Sequence, residues 1–500
     1  MRKVIYWSLG VGGLSLVFWA TLVLRGPYLR TPAAYAECQR DPYCAPNLWA
    51  APFLPLLRTP DTDSYFESIY TAIQQGFYEP DIRLPGYGLV YGAFYLLTQS
   101  RAWAFWGVGL FQWAIWSVGL GLWLAEGARR GLPKGLLAVG AAAVVFSPLG
   151  YYIRFTVTEP CATAAGLIGL YGLYRQRPLL AGFFLTWAFF LRPVLGVWLP
   201  LGGLWLLWHG GLKRALLFSL PFALAESAWV YHNYRRYGDF RPLSGTKTAL
   251  AVGMFNDFTP GLTRFLLLTG DNVTLAANDP CHPQGLLLCQ AESLQTLSAW
   301  ERAFPFSRGL PECTAETLRR VGAAICALRH SPSYAMHWRP IRAEEPPPSP
   351  EDCRLELYVL ETLKRCGEAL QRRYPAWVYT QAWWRRWRAL WYIPAAQGPT
   401  SLPRKLYYGF FFALLLIALA GGGYRAFQEK AHLLLFWLFA LLPIIVYTVL
   451  SSFPFLPPSA TALLERRYLD LQWPFALLAL AWPANDPALG RSAGQPLPSA

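Results

Sequence analysis

The chain has 500 residues, of which 54% are hydrophobic, 16% aromatic and only 15% charged; a soluble globular protein carries about a quarter charged residues. That composition excludes a disordered or fibrous protein and points to a chain solvated largely by lipid. The formal charge of +15 lies in short clusters between apolar runs and in one long loop. It therefore reads as membrane orientation and not as a nucleic-acid footprint.

Met1-Arg2-Lys3 precedes an apolar run over 4–24. This run is longer than the roughly 7–15 residues of a signal-peptide core, and a polar stretch separates it from the cleavage-like Ala34-Tyr35-Ala36. It is expected to be a first membrane helix with its N-terminus inside. Further apolar runs follow at 84–98, 103–124, 135–150, 157–174, 179–191, 194–208, 214–232, 405–424, 432–450 and 468–482, separated by Gly, Pro and charged residues. The expected fold is an all-α polytopic membrane protein with about 10–11 transmembrane helices, since a crossing takes roughly 20 apolar residues.

The connectors around Arg129-Arg130 and Lys134, Arg175 and Arg177, Lys213-Arg214, and Arg425 and Lys430 hold most of the short-loop positive charge, which places them in the cytoplasm. Loop 25–83, residues 150–159, the neighbourhood of Arg192 and the long segment 233–404 then fall outside. Only an odd number of crossings fits between the first outer loop and the 127–134 connector. One of the runs 84–98 and 103–124 must therefore be re-entrant or interfacial, and the sequence leaves open which.

Cys38, Cys44, Cys281, Cys289, Cys313, Cys326, Cys353 and Cys366 all lie in the two segments assigned outside, and Cys161 alone lies in a span. Eight cysteines on an oxidising side read as up to four disulfides. Nearest-neighbour pairing (38 with 44, 281 with 289, 313 with 326, 353 with 366) is the simplest connectivity. Zinc at Cys281 and Cys289 beside His282 is the competing reading, without a CxxC pair to support it.

Three regions follow: a membrane module over 1–244 that includes the outer loop 25–83, an extracytoplasmic loop or domain over 245–404, and C-terminal transmembrane helices with a cytoplasmic tail over 405–500. Helix-like patterns at 316–328 and 353–370 argue for a small folded domain, with 343–352 as an internal linker. The Trp- and Arg-rich stretch 379–392 reads either as an amphipathic helix in the headgroup layer or as a packed face of that domain.

The chemistry-bearing residues sit on the outer side. Thr59-Pro-Asp61-Thr-Asp63-Ser-Tyr65 in the first outer loop offers two carboxylates where a water-facing reaction meets a lipid-borne substrate. A carboxylate there serves as a general base or shares a divalent cation, although Asp61 or Asp63 equally suits the cap of a helix over 64–75. Arg83-Leu-Pro-Gly-Tyr87, Thr158-Glu159, Glu226, the stretch from Trp229 through His232-Asn233 to Ser244, and Glu465-Arg466-Arg467-Tyr468 lie at the same side. Arginines at that mouth suit a phosphate; each motif alone also suits an interfacial anchor or a structural ion pair.

In order and spacing these motifs, together with the Arg192-Pro193 that ends a Gly-rich helix, resemble the C-type superfold of glycosyltransferases that use polyprenyl-phosphate sugars. That group includes protein O-mannosyltransferases and the lipid A aminoarabinose transferases. The resemblance covers about residues 1–250 and the final span. It departs at His232-Asn233, where the family carries Arg-Asn, and in the long cysteine-bearing segment.

The resemblance implies transfer of a monosaccharide from a polyprenyl-phosphate carrier to a hydroxyl on a glycan, lipid or protein acceptor, with inversion, on the extracytoplasmic face. Asp61, then Asp63, would be the catalytic base, and Arg83, Arg466 and Arg467 would stabilise the leaving phosphate. Tyr65, Tyr87, Glu159, His232, Asn233 and Tyr468 would complete the substrate site. A divalent cation (Mg or Mn) at Asp61, Asp63 and Glu159 is left open, and 245–404 is a candidate platform for a protein partner. The rival expectation is a non-catalytic membrane subunit of the same fold that binds or translocates lipid-linked glycan. The absence of retention signals favours a bacterial inner membrane.

Overall fold

The computed structural model describes residues 1–25, 62–75, 84–237, 309–330, 402–428, 431–452 and 471–483, with scattered helical positions between 351 and 373. Among these residues the chain is helical and has no strand. The N-terminal part contains α1 (Arg2–Arg25), α2 (Thr62–Gln75), α3 (Gly86–Thr98), α4 (Arg101–Arg129), α5 (Lys134–Val145) and α6 (Pro148–Tyr152), then α7 (Glu159–Tyr174), α8 (Pro178–Leu191), α9 (Trp198–Gly210) and α10 (Leu212–Tyr237). After α11 (Ala315–His330) come α12 (Leu402–Gln428), α13 (Ala431–Ser452) and α14 (Trp473–Ala481).

The apolar runs become helices, and local chemistry divides them. Gln99 takes a left-handed conformation (φ 52°) to end α3, and Ser100 caps α4 by accepting from the Trp103 N–H. The run 135–150 is two helices, because α5 stops at Phe146 and Ser147-Pro148 starts a new one. Likewise Arg192 is extended and Pro193 opens a 3-10 turn over Pro193–Val197, so the run 194–208 begins as a tight turn before α9.

Two of the described helices are long and apolar enough to cross a membrane, Arg101–Arg129 and Leu406–Gln428. Lys134–Val145, Pro178–Leu191 and His432–Val446 are shorter apolar helices. The 13-residue α3 is about 20 Å long at 1.5 Å per residue, less than the roughly 30 Å of bilayer hydrocarbon. Of the two runs left open by parity, the one that becomes α4 has the length to cross.

Helix α4 is the spine. On one side α1 lies along it, with Trp113 Nε1 donating to the Gly12 carbonyl at 3.2 Å. On another side α7 runs parallel, with Trp123 Nε1 donating to Leu167 O at 2.9 Å and Gly119 against the Ala164 backbone. Helix α3 folds back antiparallel on the N-terminal half of α4, so that Gly107 faces Phe94 and Gln112 faces Tyr87. The C-terminal helices close the same core: Trp198 stacks on Phe439 and donates to its carbonyl at 2.9 Å.

The basic connectors meet at one end of this bundle. Buried Glu126 pairs with Arg129, Arg130 and, at 3.7 Å, Arg175. Arg214 donates to Gln176 at 3.0 Å. Trp482, at the end of α14, packs on both Trp123 and Tyr174, and Arg425 and His432 hold the backbone of Leu480 and Pro483. Three arginines on one carboxylate leave this end strongly positive.

In the segment after α10, Cys313 is bonded to Cys366, with Cα atoms 5.1 Å apart. This corrects the nearest-neighbour pairing: Cys313 does not pair with Cys326, nor Cys353 with Cys366. The 313–366 bridge ties the start of α11 to a helical stretch more than 50 residues later, where Cys366 and Ala369 are buried. Cys38, Cys44, Cys281, Cys289 and Cys353, and the side chain of Cys326, lie outside the described residues, and Cys161 is a buried free thiol.

Gly86 and Gly88 let α3 approach α8 and α2 closely. A Cβ on Gly88 would lie 2.5 Å from the Tyr65 carbonyl oxygen, and one on Gly86 would lie 2.7 Å from the Phe190 carbonyl. Both obstacles are backbone, which cannot swing aside. Gly88→Ala is therefore expected to push α2 off α3 and to cost about 1–3 kcal/mol, the usual penalty of overpacking. A thermal unfolding series in detergent checks this, with Gly13→Ala, which faces open space, as the neutral control.

Candidate functional site

Opposite the basic end, several of the sequence motifs converge. Helix α2 lies on the glycine face of α3, with Gly88 and Gly92 against Tyr65 and Ile69. Tyr65 meets Tyr87 edge-on at 5.2 Å, Phe66 stacks on Tyr91 at 4.6 Å, and Tyr70 meets Tyr95 at 5.2 Å. Aromatic pairs of this kind add to the burial itself. Farther along, Gln74 donates to the Tyr95 hydroxyl at 2.9 Å. Glu67 pairs with Arg101, whose guanidinium sits 4.4 Å over the Tyr70 ring. The helix starts at Thr62, so Asp63 lies in its first turn and does not cap it.

Beneath α2 is a buried amide. Gln112, fully buried in α4, accepts from the Tyr87 hydroxyl at 2.8 Å and from the Cys161 thiol at 3.6 Å. Its nitrogen donates to the carbonyls of Ile153 at 2.7 Å and Phe155 at 3.0 Å. Two donors and two acceptor lone pairs are the whole capacity of a glutamine amide, so every one is used. The four partners come from α3, α7 and the 153–155 turn, which is thereby fixed against the spine.

That turn presents Thr156 and leads into α7. The Thr156 and Thr62 hydroxyls are 2.7 Å apart and both residues are fully buried, joining the start of α2 to the start of α7. Glu159 is the first residue of α7, where the helix dipole favours a carboxylate. It is fully buried and ion-paired with Arg192, which follows α8. Next to Arg192, Phe189 and Phe190 form an apolar cluster with Leu84 and Trp229, and Trp229 stacks on His232 at 5.8 Å.

The structure thus brings Tyr65, Tyr87 and Glu159 to one end, with the Trp229–His232 stretch of α10 on the flank. Asp61, Arg83, Arg466, Arg467 and Tyr468, and the side chains of Asp63 and Asn233, lie outside the described residues. Gln112 and Arg192 emerge as site-building residues; the signal for the first is a lone amide in an otherwise apolar run. Among the described residues no group of three or more His, Cys, Asp and Glu is placed to hold a metal ion. A cation at Glu159 would compete with the Arg192 guanidinium.

No family model, no curated protein and no solved structure matches this chain. Its chemistry has to be argued from the site itself: a buried, aromatic-lined floor with one paired carboxylate, Glu159.

Gln112→Leu keeps the bulk and removes all four hydrogen bonds, leaving two buried carbonyls and a phenol to find new partners. A loss of about 2 kcal/mol or more in unfolding free energy is expected. Gln112→Glu, which loses both donors, should be no milder. Denaturation of the two variants beside wild type reads the difference.

Proposed function

We propose that the chain is a multi-pass membrane glycosyltransferase that moves a monosaccharide from a polyprenyl-phosphate carrier to a hydroxyl acceptor on the extracytoplasmic face. The observation that carries this reading is the convergence of Tyr65, Tyr87, Thr156, Glu159 and Arg192 at the end opposite the basic connectors. Cytoplasmic loops hold the excess of Lys and Arg, so the convergent end faces outward. Exposed leucines, phenylalanines and tryptophans along α8, α9, α10 and α12, such as Phe183, Trp208, Leu220 and Phe410, support a lipid environment for these helices.

On this reading a first-loop carboxylate, Asp61 ahead of Asp63, takes the proton of the acceptor hydroxyl. The oxygen attacks the anomeric carbon from the face opposite the phosphate. The C–O bond to the carrier breaks, and polyprenyl phosphate leaves with the bonding pair. Growing charge on that phosphate calls for preorganised cations, a role for Arg83, Arg466 and Arg467. Glu159, held by Arg192, would orient the sugar or the acceptor, and the Tyr65–Tyr87 pair would form an apolar wall. Residues 245–404 would receive the acceptor or a partner protein.

The test is to incubate purified protein in native-lipid membranes with a panel of radiolabelled polyprenyl-phosphate monosaccharides and to measure release of polyprenyl phosphate. Wild type should release it from one donor, and the folded Asp61→Ala, Asp63→Ala double variant should be slower by at least about 100-fold, the lower range for a general base. Native-rate transfer by the double variant would sink the mechanism. Donor binding without release by wild type would favour a non-catalytic glycan-binding subunit.

A further inference from the structure

Arg154 lies in the turn between α6 and α7, on the same outward end as Glu159. It is half-buried, and its Nε is buried with no hydrogen-bond acceptor. Its guanidinium sits 5.4 Å from the Tyr151 ring centre and 5.2 Å from that of Phe155. Among the described residues no carboxylate pairs with it, in contrast to Arg192, Arg101, Arg129 and Arg130, each of which has an acid. Burial lowers its proton affinity, with only Tyr151 opposing the effect.

A guanidinium removed from water without a counter-charge is costly, and two aromatic faces offset only part of that cost. Four residues on, the Thr158 hydroxyl is also buried and without a partner. The turn that carries both is held in place by the Gln112 amide through the carbonyls on either side of Arg154. A cation fixed in this way is preorganised for an anion that arrives from outside the protein.

We infer that Arg154 receives the phosphate of a polyprenyl-phosphate lipid, with the rings of Tyr151 and Phe155 flanking the guanidinium. This rests on the glycosyltransferase reading for the identity of the lipid, and adds to it a phosphate ligand distinct from Arg83, Arg466 and Arg467. A planar guanidinium matches a phosphate bidentately, and the neighbouring rings would cover the first isoprene units. Phosphate is shared with ordinary anionic phospholipids, so the source has to be separated experimentally.

Binding of sugar-free polyprenyl phosphate, which needs no turnover, is titrated in phosphatidylcholine nanodiscs for wild type, Arg154→Gln, Arg154→Lys and Gly13→Ala. Arg154→Gln should weaken binding at least about 10-fold, the loss of a charge-assisted hydrogen bond. Arg154→Lys should weaken it less, and Gly13→Ala, which faces open space, should leave it within about twofold. A second measurement needs no variant: polyprenyl phosphate should slow modification of Arg154 by phenylglyoxal, followed on its peptide by mass spectrometry, and the uncharged polyprenol should not.

Unchanged affinity in a folded Arg154→Gln, or absence of protection, would overturn the assignment. Equal protection by phosphatidylglycerol would also overturn it, by making the site one for bulk lipid headgroups. None of these results depends on sugar release. Failure of the inference is thus distinguishable from failure of the enzymatic reading, which the aspartate variant tests.

Discussion

The organisation of the end that carries Glu159 depends on one buried side chain, the amide of Gln112. A primary amide in an apolar helix is tolerable only when all its hydrogen-bonding capacity is met. Here the four partners are the Tyr87 hydroxyl, the Cys161 thiol and the carbonyls of Ile153 and Phe155. Satisfying the amide therefore also fixes where α3 and α7 sit along α4 and what shape the 153–155 turn takes. Arg154, Thr156 and Glu159 inherit their places from that turn, and Tyr65 inherits its place from Tyr87.

The bundle is polar along its axis in a way that one carboxylate at each end makes plain. At the basic end Glu126 is surrounded by three arginines from two connectors and neutralises only part of their charge. At the other end Glu159 and Arg192 neutralise each other beside the buried Tyr65–Tyr87 and Thr62–Thr156 contacts, and Arg154 pairs with no acid among the described residues. A membrane would hold the first end in the cytoplasm by charge alone. The second end is then free to be shaped by packing, with glycines at 86 and 88 letting backbone meet backbone.

Much of this was legible in the sequence, for physical reasons that differ from element to element. Apolar runs marked the helices because period and length are local properties, and Arg192-Pro193 marked a break because proline lacks an N–H. The clustering of the basic connectors was legible because the charge asymmetry repeats at every second loop. Gln112 was not: its partners lie 25 to 49 residues away in sequence, and nothing local distinguishes it from an incidental polar residue. The Cys313–Cys366 bridge was hidden for the same reason, since connectivity is a property of the tertiary fold. Arg154 carries no local signal, because an arginine next to a membrane ordinarily reads as an anchor, and only its partial burial with no acid among the described residues separates it from one.

The claim that the end bearing Glu159 is where a lipid-linked sugar binds is tested most directly by an experimental structure. The protein would be placed in lipid with a non-hydrolysable polyprenyl-phosphonate sugar. The account predicts the sugar and phosphonate beside Tyr65, Thr156 and Glu159, on the side away from Glu126. A headgroup seated among Arg129, Arg130 and Arg175, at the opposite end of the bundle, would contradict it.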